Sequence, residues 1–454
     1  MKAIPKKKTA FFCTSCGAMH HKWQGQCREC GEWNSLHEEA IVTAPKSAPK
    51  NRPEVTARKI PEISTADEYR LMCGIAEFDR VVGGGVVPGS ALLVGGEPGI
   101  GKSSLLLQVA DEFSRQGIGT LYVSGEESVQ QIKDRALRFG LKGEAISVAN
   151  ASDLDDILTL CGDEYQIIMI DSIQTVASPG FDSPPGTVGQ VRECSARLIE
   201  LVKRTGKVLF LVGHITKEGL VAGPKVLEHM VDTVLYFEGD RFHLFRILRS
   251  QKNRFGPAGE IGVFEMTGSG LAEMKNPSQI FMTSGDGEPS PGRVVAAAVE
   301  GTRSFLVEVE ALVATSPYGT PQRVASGIDN KRLAIIAAVL EKRGGIPLGG
   351  HDIFVNIAGG IRLDDTALDL AFLLAAASSK LNLVVDPKML VVGEVGLSGD
   401  IRGVTLIERR LAEAAKLGLA RAMIPKANGA GLSKIPGMEI IQVATIGDAL
   451  GIIR

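Results

Sequence analysis

The stretch GEPGIGKS, residues 96–103, decides the fold class of this 454-residue chain. It matches the pattern G-x-x-x-x-G-K-[ST] at every fixed position, follows an apolar run and opens a helical pattern. Glycines in such a loop let backbone N–H groups turn toward phosphate oxygens at the N-terminus of a helix. Lys102 is expected to reach the β- and γ-phosphates of ATP, and Ser103 is expected to ligate Mg²⁺. The predicted residues for binding ATP or ADP are Gly96, Glu97, Pro98, Gly99, Ile100, Gly101, Lys102, Ser103 and Ser104.

The composition is that of an ordinary globular protein with enough apolar residues for a large core. Hydrophobic residues make up 44% and charged residues 22% of the chain, and the formal net charge is −2. A net charge near zero gives no global attraction to nucleic acid, so any DNA site must be a local patch. The N-terminal segment has no apolar signal-peptide region, and no run of about 18 apolar residues indicates a membrane span. We therefore expect a cytoplasmic protein with no membrane partner.

Residues 66–275 alternate short apolar runs with amphipathic helical patterns, which indicates an α/β fold. Four apolar runs predict buried parallel strands, namely ALLVGG, GTLYVSG, YQIIMID and KVLFLVG. Two segments predict helices that end in glycine, namely GKSSLLLQVADEFSRQG and EESVQQIKDRALRFG. This alternation favours a mostly parallel sheet with helices on both faces. The segments DTVLYFEGDRFHLFRILRSQ and GEIGVFEM predict antiparallel strands at the edge of that sheet, with residues 250–260 in the turn between them.

Polar residues at three predicted strand ends are candidates for ATP hydrolysis. Asp171 ends one strand and is expected to hold the magnesium shell, although an acid in this position can also simply cap the strand. Glu126 follows the second strand, where a carboxylate can polarise the attacking water. The alternative is that Glu126 and Glu127 are solvated residues that open a helix, favoured by its dipole. His214 is either a sensor of the γ-phosphate or an ordinary hydrogen-bonded loop residue.

This order of elements resembles the RecA-type ATPase core. In that class the active site lies between subunits, and a neighbouring subunit supplies cations to the γ-phosphate. The resemblance makes Lys252 and Arg254, in the segment SQKNRFGPAGE, candidate catalytic residues that act in trans on ATP. Two alternatives remain open, an ordinary basic hairpin turn and a contact with a DNA phosphate.

Four of the seven cysteines are crowded near the N-terminus and predict a zinc site. Cys13, Cys16, Cys27 and Cys30 have the spacing C-x₂-C-x₁₀-C-x₂-C, and two such pairs can close a tetrahedral Zn²⁺ site. A glycine follows each pair, as tight knuckle turns require. A unit this small has too little core to fold without metal. A disulfide or redox pair is the alternative, but the remaining cysteines are scattered, as in a reducing compartment.

The pentapeptide KNRFG, together with the RecA-type core and the four-cysteine N-terminus, resembles the bacterial RadA (Sms) family of DNA-repair proteins. The resemblance covers nearly the whole chain. It implies an ATPase that is stimulated by DNA, binds single-stranded and branched DNA, and promotes branch migration of strand-exchange intermediates with RecA recombinase. It also implies a hexameric, DnaB-like ring and a zinc finger at the N-terminus.

The C-terminal segment resembles the proteolytic domain of Lon proteases, but the catalytic dyad is missing. Where Lon has D-G-P-S-A-G with a serine nucleophile, this chain has DDTALD, and Ala367 takes the serine position. GEVGLSG matches the second Lon segment, yet the lysine position that follows falls at Glu408. The resemblance therefore implies a pseudoprotease domain. Basic residues that either face DNA or form only a solvated surface are Lys331, Arg332, Lys342, Arg343, Arg409 and Arg410.

These patterns predict three domains and two linkers. The boundaries are a C4 zinc finger at 1–36, a linker at 37–65, a RecA-like ATPase domain at 66–275, a linker at 276–290 and a Lon-protease-like domain at 291–454. Two functions remain open besides a DNA-dependent motor. One is an ATP-switched scaffold that loads other repair factors, and the other is an ATP-dependent protease, which Ala367 and Glu408 disfavour.

Overall fold

The protein is described by a computed structural model that covers residues 8–41, 59, 69–179, 181, 183–214, 224–239, 245–282, 289–317 and 319–453. Contacts along the chain divide it into two units, residues 1–274 and 275–454. Large parts of the two predicted linkers, residues 42–58, 60–65 and 283–288, lie outside the described residues. Among the described residues, no helix is both long and apolar enough to cross a membrane.

The N-terminal segment forms a small antiparallel ribbon. Its strands are β1 Lys8–Cys13, β2 Met19–His20 and β3 Leu36–Ile41, in the order β2-β1-β3. Strand β3 pairs with β1 along its whole length, from Cys13 opposite Leu36 to Lys8 opposite Ile41. The ribbon therefore continues to residue 41, past the predicted end of the zinc finger at residue 36, because residues 37–41 have a strand partner.

The centre of the first unit is a nine-stranded sheet. Its strands are β4 Ala91–Gly96, β5 Thr120–Ser124, β6 Ile146–Asn150, β7 Ile167–Asp171, β8 Val208–His214, β9 Thr233–Glu238, β10 Phe245–Asn253, β11 Ile261–Thr267 and β12 Gly270–Glu273. The strand order is β12-β11-β10-β9-β4-β8-β7-β5-β6. The six strands β9, β4, β8, β7, β5 and β6 are parallel to one another. Strands β10, β11 and β12 extend the sheet beyond β9 as antiparallel strands. The predicted mostly parallel sheet with an antiparallel edge is confirmed.

Helices cover both faces of this sheet. They are α1 Ala76–Val81, α2 Lys102–Arg115, α3 Val129–Arg138, α4 Leu154–Leu160, α5 Val188–Thr205 and α6 Pro224–Glu228, with a 3-10 turn at Ile173–Thr175. Along β4, Leu92 belongs to the same core as Phe113 of α2, and Leu93 belongs to a second core with Leu198 of α5. Successive side chains of a strand point to opposite faces, so β4 is buried on both sides. Phe12 of β1 joins the second core, so the ribbon packs against the sheet on that face.

The second unit contains a seven-stranded mixed sheet and a separate two-stranded hairpin. Its strands are β13 Arg293–Glu300, β14 Arg303–Thr315, β15 Arg323–Ser326, β16 His351–Ile357, β17 Met389–Val391, β18 Glu394–Val395, β19 Ile401–Arg402, β20 Arg421–Pro425 and β21 Glu439–Val443. Its helices are α7 Ser278–Phe281, α8 Asn330–Gly344, α9 Asp369–Leu381, α10 Ile407–Lys416 and α11 Ile446–Ile453, with 3-10 turns at Ala358–Gly360, Thr366–Leu368 and Lys426–Asn428. The large sheet has the order β15-β16-β14-β13-β17-β20-β21, and β18 pairs with β19.

Candidate functional site

The phosphate loop joins the central strand β4 to helix α2. Strand β4 ends at Gly96, and α2 begins at Lys102, so that the two predicted serines lie in its first turn. Gly101 has φ 115°, a left-handed conformation that residues with a side chain rarely adopt. A Cβ at this position would also lie 3.0 Å from Met266 Cε. The turn therefore requires glycine here, and it presents the first N–H groups of α2 to a phosphate.

The ammonium of Lys102 lies inside this loop. Its Nζ donates hydrogen bonds to the main-chain oxygens of Gly96 at 2.9 Å and Glu97 at 3.0 Å, and to His214 Nδ1 at 3.2 Å. Burial lowers the pKa of Lys102 to about 8, although two nearby carboxylates act in the opposite direction. A buried ammonium gains more from the charge of a phosphate than from neutral carbonyl groups. Lys102 is therefore suited to bind the phosphates of a nucleotide.

The carboxyl ends of three strands bring Glu126, Asp171 and His214 to the phosphate loop. The strands β8, β7 and β5 follow β4 as parallel neighbours, so their ends meet at one edge of the sheet. His214 Nε2 lies 3.2 Å from Glu126 Oε1, while Nδ1 faces Lys102. A lysine ammonium can only donate, so Nδ1 accepts, and Nε2 carries the proton that points to Glu126. A hydrogen-bond chain therefore runs from Lys102 through His214 to Glu126.

Glu126 and Glu127 have different partners, which separates the two candidates for activating water. Glu127 forms an ion pair with Arg135 of α3, and its main-chain oxygen accepts from Asn150 Nδ2 at 2.9 Å. Glu126 accepts a hydrogen bond from Ser172 Oγ at 2.5 Å, and its side chain is 45% exposed. The geometry therefore favours Glu126 as the carboxylate that reaches a water molecule, whereas Glu127 is paired with Arg135 in the last turn of α3.

Asp171 and Ser103 carry oxygen atoms that fit a magnesium ion. Asp171 is the buried last residue of β7, and Ser103 is in the first turn of α2. Tyr122 of the adjacent strand β5 donates a hydrogen bond from its phenol to Asp171 Oδ2 at 2.6 Å. Carboxylate and hydroxyl oxygens are ligands that Mg²⁺ prefers, with water and phosphate completing its shell. Asp171 and Ser103 would hold the ion, whose charge stabilises the transferring phosphoryl group.

A buried arginine also contacts the phosphate loop, and it is not among the residues predicted from the sequence. Arg246 of β10 is 7% exposed, and its Nε donates to the main-chain oxygen of Ile100 at 3.1 Å. Its NH1 donates to the main-chain oxygen of Phe245 at 2.8 Å. The available signal was the charged residue inside the apolar run FRILRS, because arginine is almost never fully buried without a partner.

The KNRFG segment, residues 252–256, and the phosphate loop of the same subunit lie at opposite ends of the strands. The segment is near the start of β4, and the loop follows its end. Asn253 pairs with Thr233 at the start of β9, and Thr233 pairs with Leu92 near the start of β4. The phosphate loop begins at the other end of β4, after Gly96, which is about 13 Å further along the strand. The structure therefore does not bring this segment to its own nucleotide site.

Lys252 and Arg254 contact groups of their own subunit. Lys252 Nζ donates to the main-chain oxygens of Glu228 at 2.6 Å and Val231 at 2.8 Å. Burial, together with the neighbouring Arg254, lowers the pKa of Lys252. Arg254 NH1 lies 3.3 Å from Asp232 Oδ1, but the side chain is 56% exposed. These two residues thus lie apart from the other predicted catalytic residues, which are Lys102, Glu126 and Asp171.

The turn after Lys252 is held in place by Arg70. Its NH2 donates to the main-chain oxygen of Phe255 at 2.7 Å, and its NH1 donates to that of Gly83 at 2.6 Å. A Cβ on Gly256 would lie 2.9 Å from Gly83 Cα, so this close approach of two backbones requires glycine. The turn that carries Arg254 is therefore rigidly placed.

The four predicted zinc ligands converge in one cluster. The Sγ atoms of Cys13, Cys16, Cys27 and Cys30 all lie within 4.8 Å of one another, and two of the pairs are 3.6 Å apart. A disulfide would need about 2.05 Å, whereas four thiolates about 2.3 Å from a shared tetrahedral ion fit the observed distances. Burial raises the pKa of the Cys16 and Cys30 thiols, whereas at Cys13 burial is outweighed by hydrogen bonds with Ser35 and main-chain N–H groups, which lower the pKa to about 7. The donor set therefore fits Zn²⁺.

Two residues outside the ligand set support the cluster. His20 Nε2 lies 3.4 Å from Cys27 Sγ, and its Nδ1 lies 2.8 Å from Gln24 Nε2. Because the amide donates, Nδ1 accepts, and Nε2–H is directed at the sulfur. Arg192 of α5 donates from NH1 to the main-chain oxygen of Gly17, in the first knuckle turn. The zinc ribbon is therefore tied to a helix of the large sheet.

At the position of a Lon-type dyad, the second unit has neither serine nor lysine. Ala367 is 1% exposed in the 3-10 turn Thr366–Leu368, and Glu408 is an exposed residue in the first turn of α10. Arg410 is 1% exposed and donates from NH1 to Asp365 Oδ2 at 2.6 Å. Asp365 Oδ1 accepts a hydrogen bond from the main-chain nitrogen of Ala367 at 3.0 Å. Asp365 thus connects Ala367 to Arg410, and a guanidinium cannot serve as a base.

Of the six basic candidates of this unit, Arg410 is buried and so faces neither DNA nor solvent, whereas Arg332 is partly exposed. Arg332 forms an ion pair with the buried carboxylate of Asp369, and Arg410 forms one with Asp365. Their partners come from segments far along the chain, so a charge pattern alone does not reveal them. The candidates that stay exposed are Lys331, Lys342, Arg343 and Arg409.

Comparison with known proteins identifies the family. The models that match parts of the chain are an AAA domain at 56–219, a rubredoxin metal binding domain at 11–38 and subunit ChlI of Mg-chelatase at 319–428. DNA repair protein RadA of Bacillus subtilis is 47% identical over 453 residues, which are 98% of this chain and 99% of the relative. The chain belongs to the RadA family. DNA repair protein RadA of Brucella abortus is 45% identical and covers 98% of this chain and 97% of its own length.

Two of the solved structures similar to the RadA-family chain each cover less than half of it. A KaiC-like protein of Pyrococcus horikoshii is 20% identical with a TM-score of 0.39, and covers 45% of this chain and 99% of its own. The RadB recombinase is 18% identical with a TM-score of 0.37, and covers 45% of this chain and 100% of its own.

Membership of the RadA family confirms the predicted architecture. The chain combines an N-terminal zinc ribbon, a RecA-like P-loop core with a mostly parallel sheet, and a ChlI- or Lon-like C-terminal domain. It is a DNA repair protein with an ATP-hydrolysing domain and a four-cysteine zinc site.

Proposed function

We propose that this RadA-family protein is a DNA-stimulated ATPase of recombinational repair. It binds single-stranded and branched DNA in the cytoplasm and promotes branch migration of strand-exchange intermediates, with RecA recombinase as its partner. The relatives that match its whole length are named DNA repair proteins, and its AAA domain supports ATP hydrolysis. The phosphate loop, the strand-end acids and the KNRFG segment are the parts that such a motor needs.

One observation carries this proposal, namely the distance of the KNRFG segment from the phosphate loop of its own subunit. The segment sits at the start of β9, whereas the phosphate loop follows the end of β4, so the segment serves no nucleotide within the subunit. In a head-to-tail ring, one edge of each subunit meets a different edge of the next, and such contacts close into cyclic assemblies. A hexameric ring of this kind would set Arg254 and Lys252 of one subunit against the γ-phosphate held by its neighbour.

Within one subunit, each polar residue of the site has a separate task. Lys102 binds the β- and γ-phosphates, and Ser103 and Asp171 hold Mg²⁺ beside them. Glu126 orients the attacking water, because its carboxylate is accessible and already accepts hydrogen bonds from Ser172 and His214. His214 forms one hydrogen bond with Lys102, which binds the γ-phosphate, and another with the carboxylate of Glu126.

Arg254 and Lys252 are not equivalent in this proposal. Arg254 is 56% exposed, so its guanidinium can turn toward a neighbouring subunit at little cost. Lys252 would first have to release the main-chain oxygens of Glu228 and Val231. We therefore assign the main contact with the γ-phosphate to Arg254, and a combined supporting and catalytic role to Lys252.

The remaining domains would serve partners and assembly. The zinc ribbon, with exposed Trp23 and Trp33, offers a surface for DNA or a partner protein. The Lon-like unit has no dyad and contributes to ring assembly, with Lys342 and Arg343 as exposed basic residues.

A subunit-mixing experiment tests the central claim. Lys102→Ala removes the cation of the phosphate loop, and Arg254→Ala removes the finger, so each variant alone should lose nearly all ATP turnover in the presence of single-stranded DNA. In a 1:1 mixture, an interface is active when the subunit that supplies the loop carries Arg254→Ala and its neighbour carries Lys102→Ala. Random assembly makes about a quarter of the interfaces active, so about a quarter of the wild-type rate is expected. Arg197→Ala is the matched control, because Arg197 is a surface arginine that pairs with Asp155. It should turn over ATP at the wild-type rate.

The outcomes separate the proposed functions. Absence of recovery in a mixture that still assembles would contradict action in trans. Turnover that ignores single-stranded DNA at low salt with Mg²⁺ would contradict a motor, because DNA binding is strongest under those conditions. Heteroduplex extension by Arg254→Ala without turnover would favour the ATP-switched scaffold, for which nucleotide binding suffices.

A further inference from the structure

Tyr122 and Asp171 form a buried hydrogen bond near the carboxyl ends of the parallel strands, where the nucleotide site lies. Tyr122 is 1% exposed and Asp171 is 5% exposed, and the phenol lies 2.6 Å from Asp171 Oδ2. In the register of β5 and β7, Tyr122 is opposite Met169, and Ser124 is opposite Asp171. Residues two apart on a strand share a face, so Tyr122 and Asp171 are diagonal neighbours on one face of the sheet. The pairing of the two strands therefore sets this contact.

The phenol is the one hydrogen-bond donor to the Asp171 carboxylate in the part of the chain that the structure describes. A carboxylate ligates Mg²⁺ through its oxygen atoms, so a donor that orients the group also directs the oxygen left for the ion. The bond uses Oδ2, so the orientation of the group is fixed while Oδ1 stays available. Burial and the adjacent carboxylate raise the pKa of Tyr122 well above its ordinary value, so the phenol remains a donor.

We infer that Tyr122 is a positioning residue for magnesium, because its phenol holds the Asp171 carboxylate in the orientation that Mg–nucleotide requires. The inference rests on the ATP site of the proposed function. Without the phenol, the buried carboxylate loses the hydrogen bond that orients it. Lys102 and the phosphate loop bind the phosphates directly, so nucleotide without metal does not depend on Tyr122.

The test compares nucleotide binding with and without metal. Tyr122→Phe removes a single oxygen and retains the ring that packs in the core. A fluorescent ATP analogue is titrated against the full-length protein in EDTA and then across a series of Mg²⁺ concentrations. We expect unchanged affinity in EDTA. The Mg²⁺ concentration that gives half of the metal-dependent increase in affinity should rise about tenfold, as for the loss of one hydrogen bond to a charged group.

Two further variants make the test specific. Tyr236→Phe is the matched control, because its phenol also donates to a carboxylate at 2.6 Å, that of Glu228 in the same unit. It should leave the Mg²⁺ dependence unchanged. In an Asp171→Asn background, Tyr122→Phe should have no additional effect on Mg²⁺ dependence, because it acts through Asp171.

Each contrary result has its own meaning. A Mg²⁺ dependence of Tyr122→Phe equal to that of wild type would overturn the inference. An equal loss of affinity in EDTA and in Mg²⁺ would also overturn it, because it would indicate a general distortion of the site. A wild-type protein that binds no nucleotide would instead contradict the proposed function.

Discussion

His214 Nδ1 lies 3.2 Å from the ammonium of Lys102, so the lysine of the phosphate loop is bound to the end of a neighbouring strand. The other ring nitrogen of His214 contacts Glu126, the candidate for activating water. Lys102 also donates to the main-chain oxygens of Gly96 and Glu97, so a nucleotide that replaces the bond to His214 would free the imidazole next to Glu126. We expect occupation of the phosphate loop to be coupled in this way to the surroundings of Glu126.

Nucleotide affinity should decrease as pH rises through about 8. Burial lowers the pKa of Lys102 to about 8, and phosphate oxygens favour its charged form. Below that pH the lysine is already protonated, so affinity is level. Above it, binding must take up a proton, and affinity falls by up to about tenfold per pH unit. Titration of a fluorescent ATP analogue in EDTA, at several pH values on both sides of 8, measures this slope.

Lys102→Arg is the control for this pH profile. A guanidinium stays charged throughout this range, so the affinity of the variant, whatever its absolute value, should not fall with the same slope. The same decline in Lys102→Arg would assign the titration to another group.

Arg246→Ala should weaken nucleotide binding because the carbonyl of Ile100 loses a buried donor. An unsatisfied group of this kind costs about 1–3 kcal/mol, and where this cost falls on the loop conformation that binds phosphate it lowers affinity by roughly 5- to 150-fold. Arg249→Ala, on the same strand but paired with Glu238, should bind nucleotide as wild type does. Equilibrium titration gives both affinities, and equal values for Arg246→Ala and wild type would show that the contact does not support the loop.

Cys27→Ala should release zinc and also destabilise the first unit beyond the ribbon. Phe12 of the ribbon is part of the core beneath α5, and Arg192 holds the first knuckle, so loss of the cluster exposes apolar surface of the large sheet. We expect loss of stoichiometric zinc and a melting temperature lower by several degrees. Cys161→Ala, which removes a buried thiol outside the cluster, should retain its zinc. Full zinc content in Cys27→Ala would contradict the ligand assignment.

Ala367→Ser should not create a protease, either alone or together with Glu408→Lys. The side chain at position 408 is exposed. The cation that pairs with Asp365, beside Ala367, is Arg410, and its guanidinium cannot accept a proton. Degradation of an unfolded protein in the presence of ATP measures this, with the wild type as background. Degradation by the double variant that disappears on adding Lys102→Ala would show that the unit can still support a dyad.

Arg410→Met should destabilise the second unit, because the partly buried Asp365 loses its cationic partner. Removing one member of a buried ion pair costs about 3–5 kcal/mol. The adjacent Arg409→Met is the matched control, because Arg409 is exposed and a surface substitution of this kind changes stability by about 0.5 kcal/mol or less. Denaturant unfolding of both variants compares them, and equal stabilities would refute a structural role for Arg410.

Local patterns in the sequence predicted most of the fold. The central strands β4, β5, β7 and β8 are buried on both faces, so their runs of apolar residues are unbroken and easy to recognise. The phosphate loop and the cysteine pairs are short motifs whose geometry is set by neighbouring residues. These motifs therefore indicated the nucleotide and zinc sites without knowledge of distant contacts.

Contacts between distant segments account for what the sequence did not reveal. Arg246 reaches Ile100 across 146 residues, and Arg410 reaches Asp365 across 45. A spacing rule placed the lysine position at Glu408, but the packing of α10 turns Arg410 inward instead. Nothing local to either arginine specifies its partner, because the partner is chosen by how helices and strands pack.

The sequence by itself therefore determined the zinc ligands, the phosphate loop and the alternation of strands and helices, since each depends on residues close together in the chain. Only the tertiary structure decided how the functional groups meet. Strand order brings Glu126, Asp171 and His214 to Lys102, and the register of β5 and β7 sets Tyr122 against Asp171. Strand β10 runs antiparallel to β9, so it ends where β9 begins. The KNRFG segment at the end of β10 therefore lies at the end of the sheet opposite the phosphate loop.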